Sequence, residues 1–279
     1  MPKLALSVLM FAVIIVVVGG AFLLHWLAGV AVVVLLVGYG YYSNRPMLYS
    51  MRANAAFMQG QEDKALALLE KTAALPNAGA QVLAHYGYLL LRKGELARAE
   101  QVFRDGLTKA KRREDEMQIK INLSTVYWLQ HRREEALTLL EAIFNKFKNT
   151  MVYGNLGYLK LLSGQHEEAL AFNLEAYDYN SEDQTIRDNL AQTYYMLGRY
   201  EEAEEMYKQV IAKSPKFAEP YYYYARTLKQ LGKVDEAREQ CEAALGRPAA
   251  LIPSTSPEEV RQLAAELDEV PAHREEQTE

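Results

Sequence analysis

The sequence predicts an all-α protein: a solenoid of six stacked helix–turn–helix units preceded by a transmembrane helical hairpin. Three observations predict it. The 39 residues from Leu4 to Tyr42 contain no Asp, Glu, Lys or Arg. A turn phrase built on glycine then returns about every 34 residues, each time followed five residues later by alanine. Between the turns, apolar residues recur at helical rather than alternating spacing.

The hairpin comes first. One helix of the length of the uncharged stretch would measure about 58 Å, twice a hydrocarbon core of ~30 Å. Two spans fit instead, at about residues 4–24 and 26–42, so that residues 1–44 form the anchor. The turn falls at His25-Trp26, where a polar edge and an indole suit the headgroup region, and Tyr39, Tyr41 and Tyr42 form an aromatic belt at the second exit. Lys3 lies on one side and Arg45 and Arg52 follow the second span, which places both ends in the cytoplasm of a multi-pass plasma-membrane protein. A signal peptide is the competing reading, with Leu4 to Val18 as its apolar region and Gly19-Gly20-Ala21 before the cut. Trp26 to Tyr42 would then remain as a span, and the rest of the chain would still face inward.

All 36 acidic side chains lie beyond residue 61. The whole chain carries a net charge of −5, and the part beyond the hairpin, lacking Lys3, is one unit more negative. This balance argues against a general nucleic-acid binder. The single Cys241 forms no internal disulfide and fits a reducing compartment.

The units occupy residues 45–251. Gly60, Gly94, Gly164, Gly198 and Gly232 sit in the turn phrases, and His131 takes the equivalent place in "WLQHRREEAL". The alanines are Ala65, Ala99, Ala136, Ala169, Ala203 and Ala237. Glycine supplies the backbone angles of a tight turn, and the small alanine lets two helices approach closely. Runs such as Tyr153, Leu156, Gly157 before a turn and Ala203, Tyr207, Val210 after one give each unit two amphipathic helices.

Leu156-Gly157 with Ala169, and Tyr86-Gly87 with Ala99-x-x-x-Phe103, carry a resemblance to the tetratricopeptide repeat (TPR), whose pattern is Trp-x-x-Leu-Gly-x-x-Tyr, Ala-x-x-x-Phe, then Pro. The resemblance extends over about residues 46–251. Unit one departs from it, with Arg52-Ala53 in place of Leu-Gly, and only unit five has its terminal proline, Pro215, in register. The resemblance implies a right-handed superhelix with a concave groove. Residues 252–270 supply a capping helix: Ser256 as N-cap, Pro257 at the first position, Glu259 closing a capping box, then Val260, Leu263, Ala264 and Leu267 as an apolar stripe. The polar tail 271–279 has nothing to bury and reads as disordered.

In the family the first helix of each pair forms the inner wall, and its sixth position is often Asn. Here that position holds Asn122, Asn155 and Asn189, a ladder of amides able to bond the backbone of an extended peptide. Asn is also ordinary on solvated helix faces, and that reading stays open. The same register places Tyr195, Met196, Tyr222, Tyr223, Arg226 and Lys229 in the groove of units five and six, with Tyr221 and Tyr224 in the core; packing against neighbouring helices is the alternative for Tyr222 and Tyr223. "KAKRRED" at 109–115 reads as a solvated helix extension or as a contact for anionic lipid. Cys241 reads as inert core.

No catalytic signature is present: no phosphate-cradling Gly-Lys loop, no His-Glu-x-x-His and no Gly-x-Ser-x-Gly. The expectation is a non-enzyme without cofactor or metal. The expected function is a membrane-anchored scaffold that binds a protein or peptide segment, with membrane lipid contacted through the anchor and no nucleic acid. The alternatives are an exported envelope-assembly or secretion factor, and a structural role through self-association.

Overall fold

The structure, a computed structural model, describes residues 3–270, with side chains from residue 12 onward. The tail 271–279, read above as disordered, lies outside the described residues. Among those described there are fourteen α-helices and no strand.

Two apolar helices come first, α1 (Lys3–Leu24) and α2 (Trp26–Met58), joined at His25. His25 is extended and caps α2 by accepting the Leu27 N–H at Nδ1, 3.2 Å away. α1 packs on α2, and the Phe22 ring fills the space that a Cβ at Gly29 would need. Val13, Val16, Leu23, Trp26, Val34, Leu35 and Val37 are all exposed.

The second apolar segment does not stop near Tyr42. The residues after the expected second span are helical too, and α2 runs on through Pro46 to become the first helix of unit one. Proline has no N–H and crowds the carbonyl four residues back, so Pro46 frees acceptors on the preceding turn. Asn77, from the loop after α3, takes them: its Nδ2 donates to Ser43 O at 2.9 Å and reaches Tyr42 O at 3.5 Å. The helix thus continues past its proline, with a tertiary contact at the turn where the ladder is interrupted.

The remaining elements pair as α2 with α3 (Glu62–Ala73), α4 (Ala80–Arg92) with α5 (Leu96–Lys109), α6 (Arg113–Leu129) with α7 (Arg133–Phe144), α8 (Thr150–Leu162) with α9 (His166–Tyr179), α10 (Gln184–Met196) with α11 (Tyr200–Ile211), and α12 (Glu219–Gln230) with α13 (Val234–Leu245). α14 (Pro257–Asp268) closes the stack against α12 and α13. Its capping box forms, with Ser256 Oγ accepting the Glu259 N–H and the Glu259 carboxylate accepting the Ser256 N–H. The three extra residues between units two and three lengthen α6. In the basic run, Lys109 donates to Ala78 O, Arg112 pairs with Asp115, and Arg113 lies 3.4 Å from the Phe147 ring centre.

The six turns share one geometry. Gly60, Gly94, Gly164, Gly198 and Gly232 all have φ between 73° and 85°, and His131 sits at 63°. In the His131 turn, His131 N donates to Trp128 O and Arg132 N to Tyr127 O, the same pair of bonds that Gly94 and Glu95 make to Leu91 and Leu90. All six alanines after the turns are completely buried, where the second helix of each pair meets the first. Left-handed backbone is costly for a residue with a Cβ, so His131→Gly is expected to raise stability by about 1 kcal/mol in urea unfolding.

Neighbouring units are also tied by charge. Arg98 meets Glu70 at 2.8 Å, Arg132 meets Glu100 at 3.0 Å, Lys160 meets Glu141 at 2.9 Å and Lys233 meets Glu204, each pair joining one unit to the unit before it. These pairs are open to solvent screening, so they add little and the hydrophobic interfaces dominate.

Candidate peptide-binding groove

The first helices of successive units touch one another, α4 with α6, α8 with α10, α10 with α12 and α12 with α14, whereas each second helix meets only its sequence neighbours. The first helices therefore form the inner wall. Over α8, α10 and α12 this wall is already in contact with peptide: the stretch between α13 and α14, residues 246–256, crosses it as a strap.

The strap is held by its backbone. Ala218 N donates to Pro248 O at 3.0 Å, and Ala250 N donates to Glu219 Oε1 at 2.8 Å. The Tyr158 hydroxyl donates to Ile252 O at 2.7 Å, and that of Tyr223 to Ser254 O at 2.8 Å. The contacts fall at alternate residues, 248, 250, 252 and 254, in an irregular stretch that bends at 251–252 and 254–255. Tyr158 belongs to unit four and lies 94 positions from Ile252, so the strap folds back across two units. The Ile252 side chain packs on the repeat core.

Beside the strap is a cavity of about 430 Å³ lined by Tyr158, Asp188, Asn189, Gln192, Glu219 and Ala250, among others. Burial raises the Asp188 pKa to about 7, and the neighbouring Glu219 charge adds to it. Glu219 is raised by burial as well, an effect opposed by the Ala250 N–H. The folded pKa of Asp188 exceeds its unfolded value, so the folded state holds an extra proton between about pH 4 and pH 7 and loses stability as pH rises through that window. Asp188→Asn is expected to leave stability near pH 4 almost unchanged and to raise it near pH 8 by about 2 kcal/mol, measured by unfolding at the two pH values.

The expected groove residues divide. Asn122 is half-buried and accepts from Gln118 Nε2, and Asn155 donates to Met151 O in its own helix at 2.8 Å. Asn189 is buried and donates across to Gly154 O of α8 at 2.8 Å. It belongs to a buried polar chain in which Asn173 Nδ2 donates to Thr193 Oγ1 and Thr193 donates to Asn189 O. The three amides do not form a free ladder, because two of their donors already bond to this chain's own backbone.

Tyr195, Tyr222 and Tyr223 are buried rather than open to solvent, with α14 beside Tyr222 and the strap on Tyr223, and Tyr221 and Tyr224 are buried as expected of core positions. The Arg226 guanidinium lies 5.1 Å from the Tyr195 ring centre and 5.5 Å from that of Tyr222. Lys229 is paired with Glu266 of α14 at 2.6 Å, and Met196 remains exposed. Tyr222, Arg226 and Lys229 share a second cavity of about 230 Å³ with Glu259 and Leu263. Tyr158, Asp188, Gln192 and Glu219 were not singled out by sequence. The available signal was the stretch "RPAALIPSTS", where the repeat period lapses and two prolines bracket an apolar run too short for a helix.

Cys241 is buried, and that burial pushes its thiol up to about 11, which suits a packing role. Among the described residues, no group of three or more His, Cys, Asp or Glu is placed to hold a metal ion.

The arrangement defines a class: stacked helical hairpins presenting an inner wall that addresses extended backbone. Three family models, each described as tetratricopeptide repeat, match residues 50–114, 150–216 and 198–249. The repeat region is one of tetratricopeptide repeats, and proteins built from them mediate protein–protein interaction. Among solved structures, pilF of Pseudomonas aeruginosa is 18% identical with a TM-score of 0.58, covering 81% of this chain and 99% of that one. A tetratricopeptide repeat protein from Parabacteroides merdae is 14% identical with a TM-score of 0.51, covering 80% and 98%. The APC/C hetero-tetramer Cut9-Hcn1 is 11% identical with a TM-score of 0.66, covering 84% and 45%. At these identities the likeness concerns the fold. A curated relative, Protein O-mannosyl-transferase Tmtc3 of Drosophila melanogaster, is 30% identical over 94 residues, 34% of this chain, which spans only 10% of that relative's length.

Proposed function

We propose that this protein is a membrane-tethered interaction adaptor. Its N-terminal hairpin spans the plasma membrane twice with both ends cytoplasmic, and the repeats capture an extended segment of another protein along α8, α10 and α12. The continuity of α2 carries the reading. One helix is exposed and apolar from Trp26 through Tyr42 and then serves as the first helix of unit one. An exposed apolar surface of that extent suits lipid and not water. Arg45 and Arg52, just past the apolar stretch, favour the cytoplasmic side.

Because no flexible linker intervenes, the groove is confined near the bilayer, and its local concentration favours membrane-associated partners. Fusions at Glu279 test the topology: green fluorescence with inactive alkaline phosphatase is expected, and the chain should stay in the membrane pellet after carbonate extraction. Active phosphatase would place the repeats outside and support the export-factor reading instead. Recovery of the full-length chain in the soluble fraction would end both.

A further inference from the structure

The groove cavity holds two carboxylates, neither of them in an ion pair among the described residues. Asp188 on α10 is half-buried and Glu219 on α12 is 4% exposed, and the Glu219 charge opposes ionisation of Asp188 across the same cavity. The strap satisfies Glu219 Oε1 through one N–H, while Oε2 has no hydrogen-bond partner. Gln192, 2% exposed on the same wall, also has Nε2 without a partner. The other titratable groups about Asp188 are Tyr158 on α8 and Tyr207 on α11. Lys213 and Lys216 line the cavity mouth from the loop before α12, and both are exposed.

We propose that this cavity takes a basic side chain, lysine or arginine, carried by an extended segment of a partner protein that replaces the strap. The proposal rests on the groove reading above and names the chemistry of its ligand. From Pro248 to Thr255 the strap has no charged residue. Its Arg247 is engaged elsewhere, 3.9 Å from the Tyr221 ring centre and donating to Pro215 O. The occupant in place therefore brings no positive charge to the carboxylate pair. A cation within a few ångströms removes that cost, because unpaired buried charge is expensive and opposite charge restores the ionised form.

The Tyr158 and Tyr223 hydroxyls, which bond carbonyls of the strap, would bond those of the incoming segment irrespective of its side chains. The cation then selects, and an acidic segment is refused by like charge. Capture of a cation favours ionised Asp188 and expels its proton, so affinity should rise with pH through about 7.

The probes are fluorescein-labelled decapeptides of residues 247–256 bearing Ala250→Lys or Ala250→Met, since Ala250 lines the cavity. They are titrated into the full-length protein in detergent. Near pH 8 the lysine peptide should bind about 10-fold tighter than the methionine peptide, a preference that shrinks to about 3-fold or less near pH 5.5 and is lost in Asp188→Asn. Equal affinities near pH 8 would overturn the basic-side-chain assignment and leave the groove reading standing. If the strap excludes both peptides, the same substitutions in the full chain decide: Ala250→Lys should melt above Ala250→Met near pH 8. Equal melting with no peptide bound would overturn the proposal and the groove reading together.

Discussion

Phe103→Ala is expected to lower the stability of the repeat region by about 3–5 kcal/mol, measured by urea unfolding of the detergent-solubilised chain. Phe103 is completely buried, and its ring lies against the backbone of Gly87, where a Cβ would come within 2.6 Å of a ring carbon. Removing the ring deletes its transfer free energy and leaves a cavity that two rigid helices cannot close. The converse change, Gly87→Ala, overpacks the same contact and should cost about 1–3 kcal/mol. The two positions are one piece of shape, so their effects are not additive. Gly87→Ala should cost little once Phe103 is Ala, and a double-mutant cycle reads that coupling directly. Simple additivity would show that the ring and the glycine are not in contact. Hydrogen exchange should show the loss concentrated in α4, α5 and their neighbours, because a stacked repeat transmits stability mainly through adjacent interfaces.

Asn189→Ala should cost about 2–3 kcal/mol, since the change strands Gly154 O and opens a void in a buried polar chain. Asn122→Ala and Asn155→Ala, at half-buried positions bonded within their own helices, should each cost less than about 0.5 kcal/mol. This contrast separates a structural amide from a binding one. If all three asparagines projected into an open groove, the three substitutions would change stability equally little. A loss of partner binding in Asn189→Ala should therefore be compared with the stability of that variant before it is assigned to the groove.

Much of the fold can be read from local pattern. The turn glycines and the small residues five positions later follow directly from backbone and packing geometry, and His131 could be placed in a glycine's position from the phrase "WLQHRREEAL" around it, although the intervals on either side depart from 34. The groove residues were harder to read. Position along a helix tells which way Asn189 or Tyr223 faces, but not what lies over that face. Asn189 meets a backbone carbonyl of the preceding unit, 35 positions away, and Tyr223 meets the strap, 31 positions away. Neither contact leaves a periodic trace.

The same distinction applies at the N-terminal end. Composition marks the uncharged N-terminal stretch and its break at His25, while Pro46 argues locally for a break after Tyr42. No break occurs: α2 continues through Pro46, and Asn77, more than 30 residues on, donates to Ser43 O and reaches Tyr42 O, the carbonyl that proline leaves without its helical donor.

By itself the sequence determined an apolar N-terminal helical segment, six helical hairpins with their turns, and a capped last helix, because each depends on interactions within a few residues or on a repeated spacing. Only the tertiary structure decided that α2 is continuous, that the inner wall of units four to six is covered by residues 246–256, and that Asp188 and Glu219 share a cavity without an ion-pair partner. These features depend on which distant groups meet, and so on how the stacked units bend the chain back upon itself.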